Sequence, residues 1–273
     1  MKNININKYF FGIALILFFS GSFLDLKAGT FTSVLKNPEL SILFPEIQEY
    51  SGVVYSLGGS HITPFSHTIK VDQSTGNIVI YTVGTEFEYQ GQLDPYLQIK
   101  TSDFIFKNSE MINFLGHDQR VTRYDPERKN LIVKYFLNNQ EKKTKVFTSD
   151  CSCIDSDALP TFLQGMLLNN TGDFNLDLIQ KAKGLRINAD FKLIAVDNPL
   201  SLSTEYHFPP EFRNSLQQIN KVYIYVMKLT GLPGLVYPYK YYFVYHNESP
   251  YQLVAYWGGE SKEAEFGFLE YIR

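Results

Sequence analysis

Along most of this chain short apolar runs bounded by turn residues mark strands, some alternating apolar and polar with a period of two and many apolar on both faces. Val53, Val54, Tyr55 and Leu57 open the pattern, and it breaks at Gly58 and Gly59. Residues 67–71 and 77–81 flank a polar stretch ending in Gly76, which predicts a hairpin with glycine in its turn. Residues 119–124 and 130–137 form a second pair, joined through Asp125 and Pro126. Aspartate followed by proline starts a type I turn well, because proline presets the backbone angle at the second position. A third hairpin pairs 174–178 with 185–196 across a turn at 181–184. The strongest strands are 221–229 and 239–245, and in the second Tyr239, Tyr241, Phe243 and Tyr245 share one face. Strands at 252–257 and 265–272 close the chain.

One segment has a helical period instead. Leu159, Phe162, Leu163, Met166 and Leu167 fall at i, i+3, i+4, i+7 and i+8, one face of a helix. Ser156 or Asp157 can cap it, and Pro160 sits in the first turn, where a missing N–H costs little. Asp155 and Asp157 stand where negative charge favours a helix start. No Gly-, Ser- or Pro-rich linker, long charge run or repeat divides the chain. The pattern therefore predicts a mainly β fold: a curved antiparallel sheet, or a half-closed or closed barrel, wrapped around one short helix. It spans 50–273 as a single domain, after an irregular or partly helical lead-in at 29–49 that carries Pro38 and Pro45.

The first residues break from both periods. Lys2 and Lys8 precede an uncharged apolar run at 9–19, and small residues follow at Ser20, Gly21 and Ser22 and again at Ala28 and Gly29. This is the layout of a secretory signal peptide, with cleavage near 22 or 28. The run is roughly half the ~20 apolar residues that span a bilayer. Cysteine follows neither cleavage point, so the lipid anchor of a bacterial lipoprotein is not expected. Export to the periplasm is the reading, with the outer membrane or the extracellular space as alternatives. Removal of Lys2 and Lys8 takes the net charge from −3 to −5, and the longer cut adds Lys27 and Asp25, which cancel. Such a chain lacks the clustered Lys and Arg of a nucleic-acid binder.

Composition adds one unusual number, 22 Phe and 19 Tyr against 4 Met. Aromatic residues suit pleated, half-buried surfaces, and tyrosine also suits a cavity or an interface. Cys151 and Cys153 are the only cysteines. They are a candidate local disulfide whose ring would be too short to stabilise much by chain entropy. A redox role is open, since strained bridges reduce easily, and a metal would need further ligands that no nearby histidine supplies.

Signals for chemistry are sparse. There is no Gly-x-Ser-x-Gly elbow, P-loop or dinucleotide fingerprint. Ser60 and His61 are adjacent, but strand neighbours point to opposite faces. His61 and His67 bracket Pro64 without a carboxylate set to complete a metal site, and Gly116-His117-Asp118 reads as a turn. These histidines are expected on solvent-exposed loops. No catalytic, cofactor-binding or metal-ligating residue is assigned, and no enzymatic activity is expected.

The order of elements carries a resemblance. Residues 54–59 with the strand at 67–71, the Arg123-Tyr124-Asp125 turn, the helix from Asp157, and the closing strands with Tyr237-Pro238 and Pro250 before Leu253-Val254 are similar to an uncharacterised family of bacterial envelope proteins. That family is known only as a domain of unknown function, and the resemblance implies a fold like the half-barrels of the LolA and LolB lipoprotein carriers. Two departures stand out: residues 217–220 replace an Ala-Gly-Thr-Phe-like turn, and the Cys151/Cys153 pair is not a family feature. The family carries no agreed catalytic residues.

Three readings follow. In the first, the sheet and helix leave an apolar concavity for a lipid or other hydrophobic ligand, lined by Leu159, Phe162, Met166, Tyr223, Tyr225, Tyr239, Tyr241, Phe243 and Tyr245. In the second, those side chains fill the interior and the protein is a non-catalytic envelope scaffold or interaction module, with an envelope protein or a membrane surface as partner. The third is an integral outer-membrane barrel with aromatic girdles. A connected apolar cavity of about 300 Å3 or more separates the first from the second.

Overall fold

The computed structural model describes residues 44, 47–56, 61–148, 153–180, 184–204, 206, 208–259 and 265–271. The expected signal peptide, most of the lead-in and the pairing of Cys151 with Cys153 lie outside the described residues. Eight strands make up the first half: β1 Ile47–Ser56, β2 His61–Val71, β3 Ile78–Gly84, β4 Phe87–Leu93, β5 Ile99–Phe106, β6 Gln119–Asp125, β7 Asn130–Leu137 and β8 Gln140–Thr148. Seven make up the second: β9 Cys153–Asp155, β10 Phe174–Gln180, β11 Leu185–Val196, β12 Val222–Leu229, β13 Lys240–His246, β14 Leu253–Gly258 and β15 Glu265–Tyr271. Helices α1 Ser109–Leu115, α2 Leu159–Leu168, α3 Pro210–Gln218 and α4 Gly231–Val236 interrupt them, with 3-10 turns at Ser156–Ala158 and Pro199–Leu202. β1 thus begins inside the expected lead-in.

All the strands belong to one sheet, ordered β8-β7-β6-β5-β4-β3-β2-β1-β15-β14-β13-β12-β11-β10-β9. The chain runs outward from the centre to one edge, crosses to the other edge at β9, and returns by hairpins until β15 pairs with β1. Every pairing is antiparallel except β9 with β10. The expected turn chemistry operates locally. The Asp72 carboxylate accepts from the Ser74 amide at 3.0 Å and from the Ser74 and Thr75 hydroxyls at 2.7 Å, beside Gly76 at φ 69°. Asp125 likewise accepts from the Glu127 and Arg128 amides at 3.1 Å.

The sheet curls until its two edges approach, and side chains bridge the seam. Lys145 on β8 donates to the Gly184 carbonyl at 2.8 Å, and Arg186 on β11 donates to the Thr148 carbonyl at 3.2 Å. The mainly β, half-barrel expectation therefore holds, with α2 inside and the other helices outside or at the rims. The inward side chains and α2 form one continuous core that joins the two halves. Part of the aromatic excess is used to cover glycines. The Phe65 ring lies over its cross-strand partner Gly52, and Tyr241 lies over Gly258, so that a Cβ at either glycine would meet a ring atom at 2.4 or 2.2 Å.

A second core lies on the outer face of β12–β14, where α3 packs Phe212 and Leu216 against Ile224, Val244 and Trp257. Asn198 secures this cover: its side-chain amide donates to the Ile219 carbonyl at 3.0 Å while its oxygen accepts from Leu200.

Candidate functional site

The interior is built around α2. Period alone predicts one apolar face, yet Thr161, Gln164 and Gly165 on the other side are buried as deeply as Leu163 and Met166. A helix buried all round must satisfy its polar groups within the protein. Gln164 does so by donating to the Gln48 side-chain oxygen at 2.9 Å and to the Pro250 carbonyl at 2.7 Å, while the Tyr50 hydroxyl donates to the same Gln48 oxygen. Space beside the helix is tight, since a Cβ on Gly165 would stand 2.2 Å from a Leu97 methyl.

The nine residues expected to line a ligand concavity are placed as follows. Leu159, Phe162, Met166, Tyr225, Phe243 and Tyr245 are buried members of the main core. Tyr223 and Tyr241 are half-buried against it, and Tyr239 lies just before β13. The Tyr245 hydroxyl donates to the Pro160 carbonyl in the first turn of α2 at 2.8 Å, and Tyr225 donates to the Thr171 carbonyl beyond its last turn at 2.6 Å. Burial raises both phenols above the ordinary tyrosine range, so both stay neutral donors. These aromatics therefore contact α2.

A second polar feature, not anticipated from the sequence, faces the start of this helix. Arg120 on β6 is 1% exposed, with its guanidinium carbon 4.4 Å and 4.8 Å above the Phe104 and Phe106 rings. One of its nitrogens is 3.6 Å from an Asp157 carboxylate oxygen, and Ser102 on β5 donates to Asp155 at 2.9 Å. Asp155 also accepts from the Asp157 amide and so caps the 3-10 turn. The expected caps, Ser156 and Asp157, are not used for the helix, whose first turn follows Ala158 with no side-chain cap. The two aspartates are thus not merely favourable charges at a helix end. They tie the β9 crossing to the β5–β6 wall, next to the seam.

His117 completes the surroundings of Arg120, its ring edge-on to Phe106 and Tyr135 and its Nδ1 donating to the Leu115 carbonyl at 2.9 Å. Burial first, then the Arg120 charge, lowers its pKa to about 4. His67 is also buried, with Nδ1 2.8 Å from the Thr82 hydroxyl and its pKa lowered to about 4 by burial. His117 lies in the expected turn, but the expected solvent exposure fails at both histidines, and His67 lies in a strand. His67 occupies an inward-facing site of β2 and His117 the turn just before β6, and in both places the imidazole packs as a neutral aromatic.

Every member of the charged cluster is closed off. Ser102, Arg120, Asp155 and Asp157 are each at most 3% exposed, which gives a substrate no approach to their polar atoms. Burial, then the two aspartates, raises the Tyr89 phenol well above its usual range, while Arg120 opposes the shift. The arrangement works as an ionic clamp. Among the described residues no group of three His, Cys, Asp or Glu side chains is placed to hold a metal ion. A groove of about 610 Å3 opens at the rim, where Asp197, Asn198, Ser201, Lys221 and Asn247 share the lining with the apolar Ala195, Val196, Val222 and Tyr223.

No protein-family model matches the chain, and no curated protein matches it. Among solved structures it is similar to the β-barrel-like protein of domain of unknown function DUF1849 from Brucella abortus, at 11% identity and a TM-score of 0.40, over 82% of this chain and 96% of that one. It is also similar to a DUF1329 family protein from Desulfovibrio piger, at 10% identity and a TM-score of 0.29, over 86% and 90% of the two chains.

Proposed function

We propose that this protein is an exported, non-catalytic scaffold or interaction module of the bacterial envelope, acting through its surface around a solid interior. The observation that carries this reading is the burial of α2 on every side. Leu159, Leu163 and Met166 are 0% exposed, and the Tyr225 and Tyr245 hydroxyls are bonded to backbone at the two ends of the same helix. The apolar faces that a carrier would offer a ligand are occupied by the chain itself. The rim groove has the volume of a small-ligand site, but it is open, lies apart from α2 and mixes Asp197, Asn198, Lys221 and Asn247 with Ala195, Val196 and Val222, so it is not the enclosed apolar interior a lipid carrier would use. An integral barrel would need an apolar exterior. The outer face of the first half instead carries the ion pairs Lys134–Glu141 and Lys107–Glu88.

Export rests on the basic, apolar and small-residue order of residues 1–28. Absence of catalysis is supported by the closure of the cluster of Ser102, Arg120, Asp155 and Asp157. The reading is tested by organic extraction and mass spectrometry of protein purified from its native envelope. No lipid should be recovered in stoichiometric amount. A stoichiometric lipid retained through detergent-free purification would overturn the solid interior.

A further inference from the structure

We infer that the β12–β13 hairpin tip is a membrane-docking element that inserts its aliphatic apex into an anionic lipid surface. The inference names a partner for the interaction role proposed above and rests on it to that extent. Eleven uncharged residues, 229–239, lie between Lys228 and Lys240. The short helix α4 at their centre buries no side chain, and Leu232, Leu235 and Val236 are 40%, 79% and 54% exposed. Leu235 is the most exposed of the large apolar side chains among the described residues.

The tip is held in a definite shape. The Thr230 amide donates to the Asn188 carbonyl at 3.0 Å and its hydroxyl bonds the Asn188 side chain, fixing the root of the loop to β11. Gly231 takes a φ of 64°, and a Cβ on Gly234 would lie 2.2 Å from the Leu229 carbonyl oxygen, so the helix folds back tightly and pushes Leu235 and Val236 outward. Tyr237 packs against the main core and seats the loop on the rim.

Three features favour a bilayer as the occupant. The apolar groups form a projecting apex and not a groove. Three aliphatic side chains also offer far less than the ~800 Å2 per partner of a stable protein interface. Behind the apex come Tyr237 and Tyr239, and behind them Lys228 and Lys240, directly opposite each other across β12 and β13. Like charges placed opposite repel, and among the described residues no carboxylate lies within ion-pair distance of either amine, although Asp190 is the cross-strand neighbour of Lys228 on β11. Aliphatic apex, tyrosine belt and flanking lysines match the depth profile of a lipid interface, where amines reach anionic headgroups while their stems stay apolar.

The test is flotation of the full chain with vesicles of phosphatidylethanolamine and phosphatidylglycerol, compared with Leu235→Asp/Val236→Asp in the same full-length background. The shared N-terminal apolar run then cancels, and circular dichroism confirms that the exposed substitutions leave the fold intact. The double substitution should weaken binding by more than about tenfold. Reversal of Lys228 or Lys240 to glutamate should weaken it by roughly fivefold each. Leu235→Trp should emit at shorter wavelength when vesicles are added, against a native Trp257 that is only 1% exposed. Equal flotation of wild type and double variant, no flotation of either, or a blue shift that follows protein concentration without lipid (a second copy) would each overturn the inference. Lipid extraction, which reports on the interior, does not depend on the tip, so the two readings fail separately.

Discussion

The two halves of the sheet use their outer faces differently. In β3–β7 burial alternates, with inward residues such as Ile80, Phe104 and Val133 closed off and outward residues such as Tyr81, Val83 and Ile105 in water. In β12–β14 both faces are buried: Tyr225 and Phe243 look in towards α2, while Ile224, Val244 and Trp257 look out towards α3. The polarity of the two interiors differs as well. The interior of the first half contains Arg120, His67 and His117, whereas the second half meets α2 with aliphatic and aromatic side chains. A curved sheet can thus be one layer thick on one side and two on the other. The first half depends on electrostatics inside it, and the second on packing at both of its surfaces.

Substitutions should separate the halves. Arg120→Met removes the guanidinium that faces Asp157 and leaves buried carboxylates uncompensated, so it should cost about 3–5 kcal/mol in urea unfolding. Pairing it with Asp157→Asn should restore part of that loss. Ile224→Ala, on the covered outer face of β12, should cost about 3 kcal/mol. Ile105→Ala, equally outward but on the wet face of β5, should stay within about 0.5 kcal/mol. Near-equal effects of these two would erase the distinction between the halves.

Acid should act on the first half. His67 has a folded pKa of about 4, below the ordinary 6.5, so its neutral form is favoured by folding. Its contribution is complete above about pH 6.5 and is lost as pH falls towards 4, by roughly 3 kcal/mol. His117 adds a loss in the same direction and window. Amide exchange should therefore accelerate first in β1–β4 and β6 on acidification, and His67→Gln should flatten the pH profile. A smaller loss is expected from Tyr245→Phe, which removes the bond to the Pro160 carbonyl and should cost about 1 kcal/mol without altering the fold.

Which parts were legible follows from the same contrast. The hairpins β2–β3, β6–β7 and β10–β11 have one apolar face and clear turn residues, so alternation and turn chemistry found them. β8 was not recognised because its sequence, rich in Gln, Glu and Lys, buries neither face. As a sheet edge it has no core to declare, and its lysines suit an exposed edge. β4 and β5 were obscured where Gly91 and Ser102 occupy inward positions that pattern reading expects to be large and apolar. α3 shows only Phe212 and Leu216 to the protein, too few for a periodic signal. The ionic clamp did leave a trace: on β6 the polar Arg120 and Thr122 face in while Val121 does not. Nothing local to Asp155 or Asp157 announces that partner, because it lies on a distant strand. Pattern put the helix inside the sheet, and eight of the nine residues expected around a concavity, all but Tyr239, do belong to the main core or pack against it; what pattern could not give is how completely they fill that space.

The central claim is that the interior is occupied by the chain itself, and titration of the folded protein with the apolar fluorophore phenylnaphthylamine addresses it most directly. The account predicts no saturable interior binding, and none for Leu163→Trp, which adds bulk on α2 itself. A one-to-one saturable signal that Leu163→Trp abolishes and Leu235→Asp leaves intact would contradict it.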